Sequence, residues 1–144
     1  LAIYESESKV ALLDYMKHLN AMGITAVGDV ALTGESPDDI VYPKLYASVE
    51  NDATVRVSFF PAMREEVEEN RRCYQTYQSP MLQMGGVKQF YDGVTSSHTA
   101  YLKEPYPMPF FEGDVGAPLL TEEKMARLTL LANQEGWPIR IHTV

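Results

Sequence analysis

The chain is short of the residue types that several function classes need. It has one cysteine, Cys73, and three histidines in 144 residues. A single cysteine excludes an internal disulfide framework and a cysteine-based zinc site. It suits a reducing compartment, which points to the cytoplasm. Positive charge is scarce too: 12 basic against 20 acidic residues leave a formal net charge of −8. Nucleic-acid binding requires a basic footprint, so no nucleic-acid partner is expected. No apolar run approaches the roughly 20 residues of a membrane span, and no membrane partner is expected. A glycine-rich phosphate cradle is also missing. Gly28-Asp29-Val30-Ala31-Leu32-Thr33-Gly34 follows a strand pattern but does not match the dinucleotide fingerprint. That counts against a complete doubly wound nucleotide-binding module. The start, Leu1-Ala2-Ile3-Tyr4-Glu5, has neither an initiator Met nor a basic leader, and it reads as the beginning of a piece of a longer chain.

What is present is an ordinary globular composition, 45% hydrophobic and 22% charged. Apolar residues at Val10, Leu13, Met16 and Leu19 predict a helix over 5–22, stopped by Gly23. Residues 24–29 predict a short buried strand. Ser36-Pro37-Asp38-Asp39 has the form of a helix start, with Ser as cap, Pro at the first position and acids in the first turn. That helix should run to about Glu50, kinked at Pro43. Val55, Val57 and Phe59 alternate along a second strand over 54–60. A charged helix is predicted over 63–78, with Cys73 as a packing residue. Gly85-Gly86-Val87-Lys88-Gln89-Phe90-Tyr91-Asp92-Gly93 predicts a third strand. A long loop over 94–120 follows, stiffened by Pro105, Pro107, Pro109 and Pro118 and by aromatic residues. Thr121 should cap a helix to Glu135, and residues 137–142 form a fourth strand. Alternating helices and strands predict an α/β fold with a parallel sheet.

Parallel α/β folds gather their chemistry at the carboxyl ends of the strands. Asp29, the pair Lys88 and Asp92, and His142 fall there. Asp29 and Asp92 also fit plain turn chemistry beside a glycine. Alternation puts Lys88, Phe90 and Asp92 on one strand face, and Arg140 with His142 on another. A lysine inside a strand must find a partner or change its charge state, so Lys88 is the hardest of these to read as structural.

These residues resemble a known family. Gly23-Ile24-Thr25-Ala26-Val27-Gly28-Asp29, Arg56-Val57, Val87-Lys88-Gln89-Phe90-Tyr91-Asp92-Gly93, Thr99-Ala100, Pro105-Tyr106 and Ile139-Arg140-Ile141-His142 follow the order and spacing of the amidohydrolase superfamily. The resemblance is to the amidohydrolase 3 branch, which includes enzymes like N-substituted formamide deformylase and sequences named exoenzymes regulatory proteins. It implies a metal-dependent (β/α)8 TIM barrel that hydrolyses C–N bonds of small amide-type substrates. Residues 1–144 would then be about half a barrel, strands two to five with their helices, and 94–120 a loop inserted on the active-site side. It further implies that Lys88, as a carbamate, and His142 are ligands of a divalent metal, zinc by preference. Asp92, His98 and Asp29 are candidates on the substrate side. The first-strand His-x-His, a later histidine and a final-strand aspartate of the family are not in this stretch. With two ligands, the chain by itself is expected to be inactive and mostly metal-free. Open sheet edges predict association into homo-oligomers. The alternative is a non-catalytic regulatory or interaction protein on the same scaffold.

Overall fold

A computed structural model describes residues 2–30 and 43–144. The order is α1 (Ala2–Ala21), β1 (Ala26–Val30), α2 (Pro43–Ser48), β2 (Arg56–Phe60), α3 (Glu68–Thr76), β3 (Leu82–Met84), β4 (Val87–Phe90), α4 (Glu122–Gln134) and β5 (Ile139–His142), with single 3-10 turns at Glu50–Asp52 and Thr95–Ser97. The helix start expected at Ser36, and the stretch that Pro43 would kink, lie outside the described residues. Every strand pairing within the sheets is parallel: β1, β2 and β3 form one sheet in that order, and β4 pairs with β5. The two sheets are joined where β2 runs on. Lys88 N–H donates to Pro61 O and Met63 N–H to Lys88 O, both at 2.8 Å, making a parallel bridge between Ala62 and Lys88. The strands form an open parallel array, not a closed barrel.

Two expectations are corrected by this geometry. The third strand does not run unbroken from Gly85. It is two segments, β3 and β4, separated at Gly85-Gly86. Both glycines are required there. A Cβ on Gly85 would lie 2.6 Å from the Phe60 ring, and one on Gly86, at φ +142°, would lie 2.1 Å from Pro138 O. The break lets β3 pair with the first half of β2 and β4 with its continuation. For the same reason the charged helix begins at Glu68, not Met63. Met63 is spent on the pairing with β4 and is buried. Met63 is thus held beside β4 by its N–H bond to Lys88 O, and the helix begins after it.

One sheet face is covered by helices. Met16 and Leu19 of α1 and Leu128 and Ala132 of α4 pack with Val57, Phe59, Leu82, Met84 and Val87. Trp137 closes the end of this core, and Phe59 meets Tyr77 edge-on at 5.5 Å. The amino half of α1 lies outside it, since Val10 is 60% exposed despite its place in the predicted stripe. α4 forms as expected: the Thr121 side chain accepts from the Lys124 backbone N–H at 3.2 Å. Arg71 joins α3 to the end of α4 by a two-pronged pair with Glu135, at 2.9 and 2.6 Å.

Candidate functional site

The other sheet face carries Lys88, Arg140 and His142. In β4 and β5, Lys88 is the register partner of Arg140, and Phe90 of His142. Partners in a parallel pair share a face. Lys88 and His142 are therefore brought onto one surface from positions 54 residues apart. Phe90 connects them. Lys88 Nζ stands 3.8 Å from the Phe90 ring centre, and the His142 ring stacks at a tilt on the same ring, 5.1 Å away.

Lys88 is 7% exposed. Its Nζ donates to Gln89 O at 3.0 Å. Burial lowers its pKa, and no neighbouring charge contributes to the shift. The neutral amine is favoured relative to a lysine in water. His142 Nε2 lies 2.7 Å from Gly93 O. A carbonyl oxygen only accepts, so Nε2 carries a proton in this contact, which leaves Nδ1 as the ring nitrogen that could offer a lone pair to a metal. That bond also fixes the ring orientation, as a second shell does for a metal-ligating histidine.

The three other candidates do not join this pair. Asp29 is the register partner of Phe59 and lies on the helix-covered side. There it accepts from the Tyr46 hydroxyl at 2.6 Å. Burial, with the carboxylate beside it, drives that hydroxyl's pKa upward. Asp92 is 1% exposed and anchors backbone. It accepts from Tyr101 N–H at 2.9 Å and Val144 N–H at 3.2 Å, tying the loop to the segment after β5. His98 sits inside the 94–120 loop, its ring stacked between Tyr106 and Phe110 with both centroids 4.0 Å away. Its Nδ1 is 2.7 Å from Asp114.

Asp114 had no signal in the sequence, yet it organises the loop. Its carboxylate also accepts from the backbone N–H groups of Phe110 and Gly116. The His98 contact and these donors hold its pKa below the usual carboxylate range. Much of the loop is exposed, including Met108, Phe110 and Phe111, while Ala100, Tyr106 and Asp114 are buried. Both ends are pinned to the end of β4, by Gly93 N–H to Thr99 O and by Leu119 N–H to Tyr91 O. A cleft of about 650 Å³ opens beside it, lined by Met63, Arg64, Gln89, Phe90, Leu120 and Lys124 among others. Phe90 thus belongs both to the cleft wall and to the Lys88–His142 pair. Alternation along the strand could have marked it, because it shares a face with Lys88.

Among the described residues, no group of three or more His, Cys, Asp or Glu side chains is placed to hold a metal ion. Lys88 and His142 supply two donors, which do not by themselves make a metal site.

The sequence model of the amidohydrolase family matches residues 5–144, nearly the whole chain. The chain belongs to the amidohydrolase family. No curated protein matches it. Two solved structures share the fold. An uncharacterized metal-dependent hydrolase from Pyrococcus horikoshii OT3 is 20% identical with a TM-score of 0.74, over 97% of this chain and 28% of that one. An uncharacterized metal-dependent hydrolase from Pyrococcus furiosus is 21% identical with a TM-score of 0.71, over 94% of this chain and 28% of that one. This amidohydrolase chain therefore spans little more than a quarter of the length of those structures.

Proposed function

We propose that the chain is part of a metal-dependent hydrolase that cleaves a C–N bond in a small amide- or formamide-type substrate. Its strands would be consecutive staves of a (β/α)8 barrel, and Lys88 and His142 would be ligands of a divalent metal, zinc by preference. The observation that carries this reading is the convergence of Lys88 and His142 on one uncovered face of paired strands, in contact with the same Phe90 ring. Family membership and the fold shared with metal-dependent hydrolases support it.

When bound, a divalent metal supplies a polarised carbonyl and a water that ionises near neutral pH. The chain's own contribution is separate from that chemistry. Burial makes Lys88 easier to deprotonate, and a neutral Nζ can add carbon dioxide, forming an N–C bond and releasing one proton. The resulting carbamate presents two oxygens where an ammonium offered none. Gly93 O holds His142 with Nδ1 directed away from that bond. Asp92, buried beneath the loop, keeps the strand ends of β4 and β5 together.

Equilibrium dialysis against zinc tests the assignment. Two donors bind weakly, so uptake by the wild-type chain should be substoichiometric at micromolar zinc and should fall about tenfold with Lys88→Met or His142→Ala. Equal uptake by all three proteins would sink the ligand assignment. Formate release from an N-substituted formamide by the longer protein containing this chain tests the bond class.

A further inference from the structure

The His142 ring bonds to a backbone oxygen, and that oxygen is itself held in place. Nε2 lies 2.7 Å from Gly93 O. The carbonyl of Gly93 and the N–H of Val94 belong to one planar trans peptide, so they point in opposite directions. Val94 N–H donates to the Thr99 hydroxyl at 2.9 Å. On the other side of the Gly93 Cα, the Gly93 N–H donates to Thr99 O, also at 2.9 Å. Thr99 therefore fixes both peptides that flank Gly93, and with them the direction of the carbonyl that meets His142.

The loop is folded to make this contact. The turn at Thr95–Ser97 ends at His98, which takes a left-handed conformation at φ +54°. Residues other than glycine uncommonly adopt it. Stacking between Tyr106 and Phe110, with the contact to Asp114, holds His98 there. The chain then turns back, and residue 99 meets residue 93. The approach is close: a Cβ on Gly93 would lie 2.1 Å from Thr99 Oγ1. Only glycine at 93 leaves room for the threonine. Ser97 Oγ lies 2.9 Å from the same hydroxyl. A hydroxyl has two lone pairs, so Thr99 can accept from Val94 N–H and keep its contact with Ser97.

We propose that Thr99 is a positioning residue for His142, acting through the Gly93–Val94 peptide to hold the ring with Nε2 bonded and Nδ1 left to donate. The use of Nδ1 rests on reading His142 as a metal donor. The positioning itself is a property of the metal-free chain. A threonine that only shaped the loop would leave the His142 ring indifferent to its hydroxyl.

The test uses the chelator-treated, desalted chain with isotope-labelled histidine at about pH 8, where an ordinary imidazole is neutral. The His142 ring N–H signal is followed by NMR and assigned by its loss in His142→Ala. In the wild type its exchange with water should be slowed by the bond to Gly93 O. Thr99→Val keeps the side-chain shape and removes the acceptor. It should speed that exchange about fivefold, the equivalent of one ordinary hydrogen bond. Thr99→Ser, which keeps the hydroxyl, should exchange at the wild-type rate. The backbone amide spectrum reports whether β4 and β5 stay paired in each variant. Wild-type exchange in a folded Thr99→Val chain, or Thr99→Ser as fast as Thr99→Val, would overturn the proposal. So would a wild-type ring proton that already exchanges freely, a result that needs no variant. Zinc uptake by Thr99→Val separates this proposal from the metal reading. Faster ring exchange with unchanged uptake upholds the positioning and removes His142 from the ligand set.

Discussion

Gly86→Ala tests the account of how β3 and β4 are joined. Gly86 has φ +142°, a region closed to other residues, and a Cβ there would lie 2.1 Å from Pro138 O. That oxygen accepts the first rung of the β4–β5 ladder, from Val87 N–H at 2.8 Å. Val87 is fully buried, so the strands cannot separate into water to relieve the overlap. Backbone strain contributes about 1–3 kcal/mol. Loss of the buried hydrogen bond adds about 1 kcal/mol. The expected destabilisation is about 3 kcal/mol, or roughly 6–12 °C in Tm for a chain of this size. Gly113→Ala is the control. Gly113 also has positive φ, +78°, but nothing lies within 4 Å of its would-be Cβ, and it should lose only about 1 kcal/mol. Urea unfolding followed by circular dichroism measures both. If the two variants agree within about 0.5 kcal/mol, a margin typical of neutral surface changes, the close-approach argument fails.

Two further outcomes follow from other groups. The folded-state pKa of Asp114 is depressed, chiefly by His98, so its contribution is fully present above the unfolded carboxylate pKa and is lost as pH falls through the folded value. Asp114→Asn should therefore flatten the acid limb of stability against pH and leave a smaller wild-type difference at low pH than at neutral pH; an acid limb of unchanged slope in melts over that range would contradict the assignment. Burial raises the pKa of the Cys73 thiol, and the side chain packs against the core. A thiol reagent at pH 8 should label it several-fold more slowly than a model peptide thiol, as fits a less available thiolate; labelling at the peptide rate would show an open site.

The local signals were legible where one segment settles its own structure. Thr121 caps α4 because a side-chain oxygen and an N–H three residues on need nothing else. Gly23 ends α1 for a similar reason, taking a φ of +79° that other residues avoid. Lys88 stood out because any strand-interior ammonium raises the same question of charge. The charged helix was misplaced at its start because hydrophobic spacing does not say that Met63 is needed by a strand 25 residues later. Val10 fitted the helical stripe but not the core, since periodicity gives a face and not what that face meets.

The amino-acid sequence by itself determined the alternation of helices and strands, the parallel arrangement and the identity of the awkward lysine. These follow from side-chain period, caps and turn residues, all short-range. Only the tertiary structure decided which face each candidate occupies. Register put His142 and Arg140 beside Phe90 and Lys88, turned Asp29 toward Tyr46, and spent Asp92 on backbone N–H groups. It also joined His98 to Asp114 across sixteen residues of loop. Hydrogen bonds between distant strands set those pairings, and a shift of one residue would have sent every side chain to the opposite face.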